Sequence, residues 1–145
     1  MDENNELLDY IYSASEMGKN TITQTLKSIK QKDNKIKKCA EDILKGYEKF
    51  YKLSCNKMKK SGYSGKKSSL MAKMGANMGV RKEVDKDNSD ARIASMIIEG
   101  LTMGVVEISV KIENYKHIVS KDNLSLATDF LNFQENAIEK LKSYL

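Results

Sequence analysis

Apolar residues recur at every third or fourth position along four long stretches of the chain. In the first stretch they are Leu8, Ile11, Ala14, Gly18, Ile22, Leu26 and Ile29. This spacing is typical of one face of an α-helix, and it predicts helices over residues 5–30, 35–60, 90–119 and 123–144. The chain contains no proline, which would cost about 3 kcal/mol inside a helix, so long uninterrupted helices are favoured.

The connections between these stretches predict how the helices pair. Short polar turns at residues 32–34 and 120–122 join the first helix to the second and the third to the fourth, as in two antiparallel hairpins. Residues 61–88 form a much longer connection, in which the pattern predicts a short helix over residues 68–79. We therefore predict one domain over residues 1–145, an all-α four-helix bundle with a long crossover between the second and third helices.

Three segments carry a resemblance to a known fold: LMAKM at residues 70–74, EGLTMG at residues 99–104 and ENYK at residues 113–116. Through them the chain resembles the ferritin-like superfamily, and within it a group of small bacterial proteins of unknown function. The likeness spans most of the chain. It implies a ferritin-like four-helix bundle, and it implies no reaction.

The residues of a ferritin-like iron site are not found in this sequence. Such a site uses a Glu from each of two helices and a Glu-x-x-His motif from each of the other two. No Glu-x-x-His occurs, and His117 is the only histidine. We therefore predict no di-iron site, no bound metal and no cofactor. The alternative is a metal-binding or oxidoreductase protein with an unconventional site in the core.

Four polar residues are predicted to lie toward the core. Projecting each helix at about 100° per residue places Ser15, Tyr47 and Gln134 inward and Glu107 at the edge of the apolar stripe. The same projection turns Glu16 and most other carboxylates outward. Because buried polar groups need partners, we expect the four to hydrogen-bond to one another. An unconventional core site would form around Tyr47, Glu107 and Gln134.

Three glycines fall inside predicted helices, where each costs about 1 kcal/mol relative to alanine. They are Gly18 in the first helix and Gly100 and Gly104 in the third. Close approach of the two helices, with no Cβ between their backbones, would offset that cost. A ligand-sized space beside the glycines is the alternative.

Positive charge is concentrated in the middle of the chain. The net charge is +5, whereas residues 27–82 contain 17 basic and four acidic residues. This pattern favours a solvated face that acidic residues of the first and fourth helices balance, within the bundle or across an oligomer contact. The alternative is weak, sequence-independent binding of nucleic acid or another polyanion by counterion release. The candidate anion-binding residues are Lys38, Lys45, Lys49, Lys52, Lys59 and Lys60.

The remaining signals concern location and the class of function. Residues 1–6 are acidic and lack the start of a signal peptide, and no apolar run approaches the roughly 18 residues of a membrane span. We therefore predict a cytoplasmic protein without a membrane partner. Cys39 and Cys55 would lie about 24 Å apart along one helix, too far for a disulfide. The best interpretation is a non-enzymatic binding or self-assembly module, a homo-oligomer or the partner of an unidentified protein.

Overall fold

The computed structural model describes residues 2–63 and 87–145. In this part of the chain the helices are α1 (Glu3–Ser28), α2 (Lys37–Lys60), α3 (Asp90–Tyr115) and α4 (Lys121–Lys142), with no strand among the described residues. The predicted all-α four-helix architecture is confirmed. The third helix ends at Tyr115, four residues earlier than predicted, because residues 116–119 form turns. The short helix predicted over residues 68–79 lies outside the described residues.

Three helices begin at residues whose side chains cap them. Asp2, Ser89 and Ser120 each accept a hydrogen bond from the backbone N–H three residues later, at 2.8, 3.2 and 3.2 Å. A side-chain oxygen at this position satisfies one of the N–H groups that the first helical turn leaves unpaired. These local sequence signals therefore fix where α1, α3 and α4 begin.

The start of α2 is capped from another helix. Ile36 occupies the capping position before α2, and its aliphatic side chain cannot accept a hydrogen bond from the first helical turn. The Asp90 carboxylate, in the first turn of α3, instead accepts hydrogen bonds from Asn34 Nδ2 at 2.9 Å, Lys35 N at 3.2 Å and Ile36 N at 3.4 Å. Asp90 therefore joins the starts of α2 and α3 at one end of the bundle.

Contacts at the opposite end show how the two hairpins are oriented. Asn4 Oδ1 accepts hydrogen bonds from Ser120 N and Asn123 Nδ2, both at 2.9 Å, so α1 and α4 begin at the same end. Since α2 and α3 both begin at the other end, these two helices run in the same direction. The 24 residues of α2 extend about 36 Å, so Lys60 and Asp90 lie at opposite ends of the bundle.

Aromatic rings from α2 and α4 fill the centre of the bundle. The Tyr47 ring meets the Phe133 ring edge-on at 5.1 Å between centroids, and the Phe50 ring meets the Phe130 ring at 5.2 Å. Such edge-to-face pairs add about 0.5–1.5 kcal/mol to the burial of the rings. Gly46 makes the close packing of α2 on α4 feasible, because a Cβ at this position would overlap the Phe133 ring.

One carboxylate lies where the sequence did not place it. Glu16 was predicted to point outward, and this prediction is wrong, because only 8% of the residue is exposed. It lies one turn after Tyr12, whose ring stacks on Tyr51 of α2 at 4.8 Å. A single apolar stripe underestimates the buried surface of α1, because α1 packs against more than one helix.

The prediction that no segment matches a membrane span also needs correction. By length and composition alone, α3 is apolar enough to cross a membrane. Core helices of soluble proteins meet the same criterion, so this is weak evidence about location. The apolar character of α3 extends to its outer surface, where Met103, Val106 and Val110 are each more than half exposed.

We expect Asp90→Ala to lower the free energy of unfolding by about 1–3 kcal/mol, because Lys35 N and Ile36 N lose their acceptor and Asn34 keeps only its bond to Asn88 O. Thermal unfolding followed by circular dichroism measures this change. Asp129→Ala, on the exposed face of α4, is the matched control and should change stability by no more than about 0.5 kcal/mol. Equal melting temperatures for the two variants would contradict the role given to Asp90.

Candidate ligand-binding cavity

A cavity of about 400 Å³ lies between α1 and α3. Its volume falls within the range of about 300–1,000 Å³ that is usual for small-molecule sites. Apolar side chains make up most of its wall, which opens to solvent at one side. They include Ala14, Met17 and Ile22 from α1 and Met96, Leu101 and Met103 from α3.

The three glycines explain how this space arises. A Cβ at Gly18 would overlap the ring of Tyr47, and a Cβ at Gly104 would overlap the side-chain oxygen of Gln134. A Cβ at Gly100 would meet no atom within 4 Å. The prediction that the glycines bring the backbones of α1 and α3 together is therefore wrong. Side chains from α2 and α4 occupy the room beside two of them, and the third borders open space.

Tyr47 and Gln134 are the buried polar residues of the cavity wall. Tyr47 is 7% exposed and Gln134 is 1% exposed. Burial raises the pKa of Tyr47 well above its usual value, so its hydroxyl keeps its proton at neutral pH. The side-chain nitrogen of Gln134 has no hydrogen-bond partner within the described part of the chain. An unpaired buried donor of this kind costs about 1–3 kcal/mol.

Tyr10 and Glu107 stand where the cavity meets solvent. The Tyr10 hydroxyl donates a hydrogen bond of 2.8 Å to Glu107 Oε2, and Lys111 Nζ lies 5.0 Å from the centroid of the Tyr10 ring. Burial and the hydrogen bond to Glu107 both raise the pKa of Tyr10 well above its usual value. Glu107 itself is exposed. The hydroxyl of Tyr10 therefore already has a hydrogen-bond acceptor, whereas the amide nitrogen of Gln134 has none among the described residues.

The structure brings together three of the four predicted core polar residues. Tyr47, Glu107 and Gln134 all line the cavity, and Ser15 lies in the core away from its wall. The expected hydrogen-bond network does not form among them. Ser15 Oγ and Gln134 Nε2 have no hydrogen-bond partner among the described residues, and Glu107 pairs with Tyr10 instead. Glu107 is exposed at the cavity mouth, and its carboxylate accepts the hydrogen bond of Tyr10 there.

Sequence reasoning missed several wall residues because their spacing fits an ordinary core. Tyr10, Met17 and Met96 all lie on the cavity wall, although their positions on helices predict packing or boundary roles. The only sequence signal for a cavity was the group of glycines within helices. Glycine spacing alone did not distinguish a close helix contact from an open space.

The cavity wall does not fit a di-iron centre. Such a centre requires four carboxylates and two histidines. The wall offers Glu107 as its one carboxylate and no histidine. Over residues 2–63 and 87–145, no three His, Cys, Asp or Glu side chains are grouped so that they could hold a metal ion. The wall is instead suited to apolar contact and a small number of hydrogen bonds.

The candidate lysines lie on a different surface. All six are exposed on α2. Lys38 forms an ion pair of 3.0 Å with Asp42, and Lys49 Nζ lies 5.5 Å from the centroid of the Phe50 ring. An exposed pair four residues apart on a helix contributes little stability, so the lysine ammonium groups remain available to an anion.

Comparisons with protein-family models, with curated proteins and with solved structures found no match to this chain. The ferritin-like resemblance therefore stays a prediction. The cavity is therefore identified from the geometry of this chain alone.

We expect two of the three cavity glycines, Gly18 and Gly100, to respond in opposite ways to alanine. Gly18→Ala should lower the free energy of unfolding by about 1–3 kcal/mol, because the new methyl group overlaps the buried Tyr47 ring. Gly100→Ala should raise it by up to about 1 kcal/mol, because alanine is the better helix former and the site is open. Denaturant unfolding measures both. Destabilisation by Gly100→Ala would mean that no open space lies beside it.

Proposed function

We propose that this protein is a non-enzymatic binding protein that holds a small apolar molecule in the cavity between α1 and α3. The observation that carries the proposal is an apolar cavity of about 400 Å³, whose wall includes a buried amide with a nitrogen that has no partner among residues 2–63 and 87–145. Binding sites combine these features, a mostly apolar wall that supplies affinity and a few polar groups that set orientation. Removing apolar ligand surface from water contributes about 25 cal/mol per Å².

The walls suit ligands of variable shape. Met17, Met96 and Met103 have unbranched, polarizable side chains that adjust to irregular surfaces. Met17 is 44% exposed and Met103 is 65% exposed, so both can move without disturbing the core. An apolar molecule entering the cavity would cover part of this exposed surface, which adds to the driving force for binding.

We also propose that the bundle has the ferritin-like arrangement. Its support is the common direction of α2 and α3, with Lys60 and Asp90 at opposite ends of the bundle. Ferritin-like folds place their second and third helices in this relation and join them by a long crossover. The cytoplasmic location, the homo-oligomer and the unidentified protein partner remain predictions from the sequence.

Gly100→Leu is the sharpest test of the binding proposal. The larger side chain enters open space, so it should fill the cavity without disturbing the fold. We expect the wild-type protein to enhance the fluorescence of the neutral apolar dye N-phenyl-1-naphthylamine, and the variant to bind it at least about tenfold more weakly. Fluorescence titration measures the affinity, and circular dichroism measures the fold.

Thr102→Leu is the matched control for this variant. Thr102 is exposed on α3 and does not line the cavity, so the added leucine should leave dye affinity unchanged within about twofold. Absence of dye binding by the wild-type protein, or equal binding by Gly100→Leu, would overturn the proposal.

Polyanion binding through α2 is a second candidate function. The observation in its favour is that Lys38, Lys45, Lys49, Lys52, Lys59 and Lys60 are all exposed on one helix. Contacts from lysines to phosphates release counterions, so the affinity falls as the salt concentration rises. Such contacts do not depend on the base sequence.

Neutralising three of these lysines tests that candidate. We expect Lys45→Gln, Lys49→Gln and Lys52→Gln together to weaken binding of a short DNA duplex at low salt. The slope of log K against log salt concentration should become shallower by about 3 if each lysine contacts a phosphate. The control variant carries glutamine at Lys116, Lys121 and Lys142, which gives the same net charge. Equal effects of the two variants, or no binding at low salt, would remove the candidate.

A further inference from the structure

Gln134 provides the cavity with an unused hydrogen-bond donor. Only 1% of the residue is exposed, and its side-chain nitrogen has no partner within the described part of the chain. The side chain reaches the cavity wall beside Gly104, where the absence of a Cβ makes room for its oxygen. In the structure the oxygen is the atom nearer Gly104, and the nitrogen is enclosed. The two ends of the amide are nearly equal in size, so a half-turn about the last side-chain bond brings the nitrogen to the wall and moves the oxygen to the enclosed position.

We infer that the molecule held in this cavity carries a neutral carbonyl oxygen, which accepts a hydrogen bond from the side-chain amide of Gln134. The inference rests on the proposed function, and it specifies the chemistry of the ligand. A buried donor without a partner is unfavourable, and after the half-turn an acceptor brought by the ligand pairs it. The oxygen is then the enclosed atom, and a buried carbonyl oxygen without a partner is tolerated more readily than a buried N–H group. A pure hydrocarbon would fill the same space and leave the donor unpaired.

The charge of the cavity wall makes a neutral acceptor more suitable than a carboxylate. Glu107 is the only Asp, Glu, Lys, Arg or His among the residues that line the described cavity, and it lies at the mouth. No cation on that wall is available to balance an anionic ligand group beside Gln134. Burying an unpaired charge in an apolar site is strongly unfavourable. A ketone, aldehyde or ester oxygen requires no counter-ion.

Four wall residues carry hydroxyl groups that are competing donors: Tyr10, Ser13, Thr21 and Tyr47. The Tyr10 hydroxyl already donates to Glu107 at 2.8 Å, so a ligand would have to displace that bond. Burial raises the pKa of Tyr47 well above its usual value. The variants Tyr10→Phe, Tyr47→Phe, Ser13→Ala and Thr21→Val remove these donors one at a time.

The test compares two probes of the same shape, 2-decanone and 2-methyldecane, in which a methyl group replaces the carbonyl oxygen. Each probe displaces N-phenyl-1-naphthylamine from the protein, and the ratio of the two dissociation constants is the measured quantity. We expect Gln134→Leu to shift this ratio by about tenfold toward the hydrocarbon relative to the wild-type protein. Because both probes are measured on each protein, their different solubility in water cancels.

The controls separate this inference from the proposed function. Gln134→Leu should still bind the dye, since leucine keeps the wall apolar, and Gln134→Met provides a second, unbranched replacement. The four hydroxyl variants should leave the ratio within about twofold of the wild-type value. An unchanged ratio in both Gln134 variants, with dye binding retained, overturns the inference and leaves the proposed function standing. A shift caused by one of the four hydroxyl variants instead would assign the donor to that residue.

Anionic probes test the requirement for a neutral group. At a pH above the ordinary pKa of a carboxylic acid, decanoate should displace the dye at least about tenfold less well than 2-decanone. Equal or better displacement by decanoate would show that the cavity accepts a carboxylate. A wild-type protein that binds no dye would overturn the proposed function itself, and the inference with it.

Discussion

The packing of Tyr47 and Gln134 beneath two glycines determines the space between α1 and α3. Tyr47 extends from α2 to Gly18, and Gln134 extends from α4 to Gly104. Each large side chain takes the room that a Cβ would need, so α1 can approach α2 closely and α3 can approach α4 closely, each within its own hairpin. Neither contact closes the gap between α1 and α3 themselves. The cavity is therefore a consequence of packing between neighbouring helices.

This arrangement has a cost in stability that a simpler bundle would avoid. Each helical glycine costs about 1 kcal/mol relative to alanine, and the Gln134 nitrogen, which no described residue pairs, costs about 1–3 kcal/mol. Departures from optimal packing of this kind are expected where a protein binds a ligand, since the site must remain partly unfilled. Ordinary core packing by Ile11, Ile22, Phe50 and Phe130 surrounds the site and offsets these losses.

The two proposed activities belong to different surfaces. The ligand cavity lies between α1 and α3, whereas the exposed lysines lie on α2. Apolar contact and one neutral hydrogen bond would dominate in the cavity, so its affinity should depend little on salt. Affinity at the lysines would come from counterion release and would fall steeply with salt. The physical basis of binding thus distinguishes one activity from the other even before a ligand is known.

The sequence by itself determined the helices and several of their ends. Periodic apolar residues and the lack of proline predict the four helices, and Ser89 predicts the start of α3, because these signals act within one helix. The missing Glu-x-x-His motif is likewise visible in the sequence. Only the tertiary structure decided that Glu16 is buried, that Glu107 stands at a cavity mouth and that Gly100 faces open space. A helical projection describes the direction of a side chain around its own axis. It contains no information about how far away the next helix lies, and that distance is set by side chains from α2 and α4.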